Sequence, residues 1–103
     1  MDYAQVGAEC GLRSRIVEAA IRGHNGRSSK QETTDYIRKD VGPVLKEPQA
    51  TQFIKQTIDH VYAVVPVTDS FQVGREYTQL CIENPDQYIR GVSITNWDVV
   101  PKR

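Results

Sequence analysis

The chain has 103 residues, with 13 basic and 13 acidic side chains and so no net charge when its two histidines are neutral. That length gives one domain with one modest core, and a chain without a global field does not collect nucleic acid or anionic membrane by overall charge. No apolar run approaches the ~20 residues needed to span a bilayer, which excludes a helical membrane protein.

Val and Ile together number 20 against three Leu, so β-branched residues dominate the apolar set and favour a sheet as part of the core. The first residues show no basic segment followed by an apolar one, so no secretory signal is read there. Cys10 and Cys81 are too few and too far apart in sequence for a disulfide framework or a zinc site. Two reduced thiols in a cytoplasmic protein is the resulting expectation.

Residues 1–11 lack periodicity and read as a flexible arm, with a single domain over 12–103. Leu12 to His24 reads as the first helix: Leu12, Ile16, Ala19 and Ala20 share one face, and Ser14, Arg15, Glu18 and Arg22 the opposite one. Gly23-His24-Asn25-Gly26 stops it, since Gly and Asn accept the left-handed backbone of a helix end. Ser29 followed by Glu32 is a capping box for the second helix, whose buried stripe is Thr33, Tyr36, Ile37 and Val41, and Gly42-Pro43 ends it. The third helix starts at Pro48, with Ala50, Phe53, Ile54, Thr57, Ile58 and Val61 on its inner face.

After Val61 the spacing changes. Ala63 to Val67 reads as a short strand, followed by a turn at Thr68-Asp69-Ser70. Arg75 to Glu83 alternates as a strand, although Tyr77, Leu80 and Cys81 also fit a helix over Glu76 to Asn84. Asn84-Pro85-Asp86 is a turn, and Tyr88, Arg90, Val92 and Ile94 alternate as a further strand. The predicted fold is therefore α+β: three N-terminal helices packed on a short C-terminal antiparallel sheet of about three strands.

Two surfaces carry the functional expectations. Arg13, Arg15, Arg22, Arg27 and Lys30 oppose only Glu18, a local charge of +4. Arg15, Arg22, Arg27, Ser28 and Lys30 are the candidates for binding an anion or nucleic acid near the second helix's N-terminus. This loop is not a phosphate-binding Gly-x4-Gly-Lys-Ser/Thr motif, and no cofactor fingerprint or metal-ligand spacing occurs elsewhere. Aromatics concentrate in the second half, and Phe71, Tyr77, Tyr88 and Trp97 are the candidates for binding a protein partner. Neutral charge is compatible with a homo-oligomer. His24 and His60 sit in no nucleophile or metal motif.

Three helices and a hairpin are also the layout of a winged helix, with Pro48 to His60 as the reading helix and Val67 to Gly74 as the wing. The outer face of that helix has one Lys beside an Asp and three Gln, and the wing holds Asp69 and no cation, which is poor for phosphate contact. The sequence favours a small non-enzymatic protein-interaction module, an adaptor, inhibitor or regulator acting through an aromatic-bearing sheet. A nucleic-acid-binding regulator using the basic patch is the alternative.

Overall fold

In the computed structural model, which describes residues 3–41, 48–86 and 88, the chain forms helices α1 (Tyr3–Asn25), α2 (Lys30–Val41), α3 (Pro48–Val64) and α4 (Ser70–Glu83). No strand occurs among the described residues, so the expected α+β fold with a C-terminal sheet gives way to a helical bundle. The further strand from Tyr88 onward and Trp97 lie outside the described residues, apart from Tyr88 itself.

The change from strand to helix has a local cause. The Thr68-Asp69-Ser70 turn signal is a helix cap: the Asp69 carboxylate accepts from the backbone N–H of Phe71 at 3.0 Å and of Gln72 at 3.2 Å. From there Ser70, Val73, Gly74, Tyr77 and Cys81 are buried, a stripe at three- and four-residue spacing. The two-residue alternation of Thr78, Leu80 and Ile82 is incidental to that stripe. Asn84 closes α4 by donating its backbone N–H to the Leu80 carbonyl at 2.9 Å. Ala63 and Val64, expected in a strand, extend α3.

α1 begins at Tyr3 rather than Leu12, and residues 3–11, expected as an arm, are helical. α1 is also the central element, packing against all of α2, α3 and α4, whereas among the described helices the α4 backbone packs on α1 alone. A helix covered from several directions has no single apolar stripe. That explains why Arg13 and Ser14 are buried together with Ile16, Val17, Ala20 and Ile21. On α3, by contrast, the expected inner face holds, with Phe53, Ile54, Thr57, Ile58 and Val61 all buried.

Cys10 and Cys81 are joined by a disulfide with their Cα atoms 5.7 Å apart, which corrects the expectation of reduced thiols. Both cysteines are completely buried. Farther along the same contact, the Ser14 hydroxyl donates to the Gly74 carbonyl at 2.7 Å. A side chain at Gly74 would overlap Glu18, so the bare backbone at residue 74 leaves room for the Glu18 side chain where α4 meets α1. At the far end the Asn25 amide donates to the Thr68 carbonyl at 2.7 Å and accepts the Thr68 N–H at 3.3 Å. The two helices are thus antiparallel and fixed at the bottom, middle and top.

The disulfide closes a chain separation of 71 residues, which removes about 4 kcal/mol of unfolded-state freedom on chain-entropy grounds. Replacing both cysteines by alanine is expected to lower the unfolding free energy in urea by that order. A loss below about 1 kcal/mol would show that the bond adds little to the noncovalent α1–α4 contact.

Candidate functional site

The polypeptide between α1 and α2 folds as a left-handed helix stop. Ser28 N–H donates to the Gly23 carbonyl at 2.9 Å and Arg27 N–H to the His24 carbonyl at 3.1 Å. Arg27 has φ of 61°, and no glycine takes a positive φ among the described residues. This is the double bond pattern of a helix C-terminus that ordinarily recruits glycine. The sequence located the stop correctly but placed the left-handed residue on Gly23, Asn25 or Gly26 rather than on Arg27.

The capping box at the head of α2 forms as expected. Glu32 N–H donates to the Ser29 hydroxyl and Ser29 N–H donates to the Glu32 carboxylate, each at 3.0 Å. The Ser29 N–H holds the Glu32 carboxyl below its ordinary value. The negative charge at this helix N-terminus is therefore the chain's own. Tyr62 from α3 fastens the same loop: its hydroxyl donates to the Ser28 carbonyl at 2.7 Å and, with its proton so used, accepts from the Thr33 hydroxyl at 2.7 Å. The half-buried His24 ring lies against Tyr62 with centroids 4.9 Å apart.

The five anion candidates do not converge. Arg22 and Ser28 line a cleft of about 370 Å³ between α1 and α2, together with Glu32, Thr33 and Tyr36. Tyr36, expected in the buried stripe, is exposed there. Arg15 pairs with Asp40 at 2.8 Å. Arg27 is exposed at the loop. Lys30 turns the other way and pairs with Asp59 of α3 at 2.9 Å. Arg13, part of the same positive run, is buried and not at the surface at all. It lies 3.8 Å from the Glu9 carboxylate, and its guanidinium sits 5.0 Å from the centre of the Phe53 ring.

The aromatic candidates separate as well. Tyr77 and Tyr88 are buried and meet edge to face with centroids 5.4 Å apart. Phe53 lies 6.3 Å from Tyr77, so the three rings form the seam where α3 and α4 meet beside α1. Burial pushes the Tyr77 hydroxyl well above the ordinary range, against the opposing pull of Arg13. Only Phe71 of the described candidates is exposed, on the first turn of α4 beside exposed Val67. The wing expected over Val67 to Gly74 runs into that helix from Ser70 onward, so the hairpin of a winged helix is not formed.

A second groove, of about 290 Å³ between α2 and α3, is lined by Lys30, Thr34, Arg38, Lys55 and Asp59 over Ile58. Asp59 is the one Asp that the sequence puts beside the single Lys on the outer face of the third helix. The i,i+4 spacing of Lys55 and Asp59 was the available signal for their pairing, seen at 3.4 Å. No group of three or more His, Cys, Asp or Glu is placed to hold a metal ion among the described residues. No helix among them is long and apolar enough to cross a membrane. Comparison with known proteins found no match to a family model, to a curated protein or to a solved structure.

Replacing Arg27 by glycine removes the Cβ penalty of its left-handed backbone and is expected to stabilise the fold by about 0.5–1 kcal/mol in urea melts, where a loss would show that the Arg27 side chain matters more than its backbone. The Lys30 ammonium holds the Asp59 carboxyl below its ordinary value of 3.8, as Ser29 holds Glu32 below 4.5. Groups depressed in the folded state contribute stability that is complete above their unfolded values and lost as pH falls through the folded ones. Unfolding free energy is thus expected to fall as pH drops from about 5 towards 3, and to fall less steeply in the Glu32→Gln, Asp59→Asn double variant. An unchanged slope would place the acid sensitivity on other carboxylates.

Proposed function

We propose that this chain is a non-enzymatic protein-binding module that engages its partner through the α3–α4 corner carrying Val67 and Phe71. The observation that supports this reading is an ordered corner that keeps two apolar side chains in solvent, with Val67 75% and Phe71 59% exposed. Exposed apolar groups are common on loops, but these two stand on a hydrogen-bonded frame. Asn25 clamps Thr68 in both directions, and Asp69 bonds the Phe71 N–H. An anchor whose backbone is already fixed loses little entropy when it is buried by a partner, which favours affinity. An aromatic ring is also the kind of group that carries a large share of interface energy.

The sheet through which binding was first expected is replaced here by a single corner, and Tyr77 and Tyr88 support it from the core rather than touching the partner. The basic residues favour a nucleic-acid reading less, because Arg15 and Lys30 are each committed to a carboxylate, and Arg22 and Lys30 line different grooves. The buried disulfide argues for work in an oxidising compartment rather than the cytoplasm, since such bonds persist where thiols are not kept reduced.

Phe71→Ala keeps a good helix former at an exposed first-turn position, so the fold should persist. A partner captured from the native host by the intact, oxidised chain is expected to be recovered at least about tenfold less efficiently by the Val67→Ser, Phe71→Ala variant, a loss of ~1.4 kcal/mol or more. Equal recovery by both proteins, with equal melting temperatures, would remove the corner from the interface.

A further inference from the structure

The groove between α2 and α3 concentrates charge that the chain as a whole lacks. Lys30, Arg38 and Lys55 line it against the single carboxylate of Asp59, a net +2 on a protein of net zero. Asp59 holds both lysines at once, Lys30 at 2.9 Å and Lys55 at 3.4 Å. Arg38 is exposed and makes no ion pair among the described residues. Ile58, also in the lining, is buried, and both lysine side chains are exposed.

We propose that this groove docks an acidic segment of a partner protein, whose carboxylates pair with Arg38 and with the lysines that Asp59 holds in position. Asp59 shows how a carboxylate is received there, because it bridges cations from two different helices. The same charge limits affinity, since the incoming carboxylate is repelled by Asp59. A short groove with three cations suits a few acidic side chains better than a nucleic-acid backbone, which needs an extended row of phosphate contacts.

This surface rests on the protein-binding reading but lies apart from the Val67–Phe71 corner. The test is a fluorescence anisotropy titration of the full oxidised chain with a fluorescein-labelled glutamate-rich peptide, its glutamine counterpart and labelled single-stranded oligothymidylate. The glutamate peptide is expected to bind at low salt, to weaken several-fold by ~0.2 M salt, and to bind more tightly than the other two probes. Arg38→Glu is expected to weaken it about tenfold or more, and Asp59→Asn to strengthen it about threefold by releasing both lysines from their internal partner.

Phe71→Ala is expected to leave this affinity unchanged, so that failure of the corner and failure of the groove can be told apart. Absence of glutamate-peptide binding, equal binding of the glutamine peptide, tighter binding of the oligonucleotide, or indifference to Arg38→Glu in a variant of unchanged circular dichroism would each overturn the proposal. Weaker binding by Asp59→Asn would overturn the role given to Asp59.

Discussion

The bond between Cys10 and Cys81 fixes the register in which α4 lies along α1, and most of the remaining structure follows from that register. With those two residues joined, Gly74 comes to Ser14 and Thr68 comes to Asn25, each through a hydrogen bond. Tyr77 is then placed between the cross-link and the close approach, where it meets Phe53 and Tyr88. This matters because, among the described helices, the α4 backbone packs on α1 alone, joined to α3 only through the rings beside that interface. α1 in turn must present small or adaptable groups in several directions, which is why a serine and an arginine are buried along a helix otherwise lined by Ile, Val and Ala.

The buried arginine is accommodated through both parts of its side chain. Its stem packs in the core, as long cationic side chains commonly do. Its guanidinium faces Glu9 and the Phe53 ring, so the charge has an acidic neighbour and an aromatic face within reach. Tyr62 plays a comparable linking role at the other end of the molecule. One hydroxyl joins α3 to the α1–α2 loop and to Thr33 of α2. Gly23 makes that junction possible, because a side chain there would overlap Thr33.

These constraints divide the surface. The loop that concentrates cations in the sequence sends them to separate places once α2 turns back on α1. Arg22 faces one cleft, Lys30 another, and Arg15 is neutralised by Asp40 about three helical turns before the loop. The corner at Val67 and Phe71 is ordered by Asn25 and Asp69, groups from the ends of α1 and α4. Both surfaces proposed for binding are thus products of helix ends and helix pairing rather than of a contiguous motif.

The sequence by itself determined the inner face of α3, the start of that helix at Pro48, the capping box of α2 and the position of the α1–α2 stop. Each depends on residues within a turn or two of one another, so local spacing and local hydrogen bonding suffice. The Glu76 to Asn84 segment was ambiguous because Tyr77 and Cys81 fit both periods, and the Asp69 cap together with the buried Val73-Tyr77-Cys81 stripe settled it as a helix. Only the tertiary structure decided that Ser14 and Arg13 are inside, since α4 covers Ser14 and Arg13 lies over Phe53 of α3. It alone joined Cys10 to Cys81, a pairing across 71 residues that no local pattern encodes. It alone brought Lys30 to Asp59 and Asn25 to Thr68, because a side chain's partner depends on which helix is folded against it.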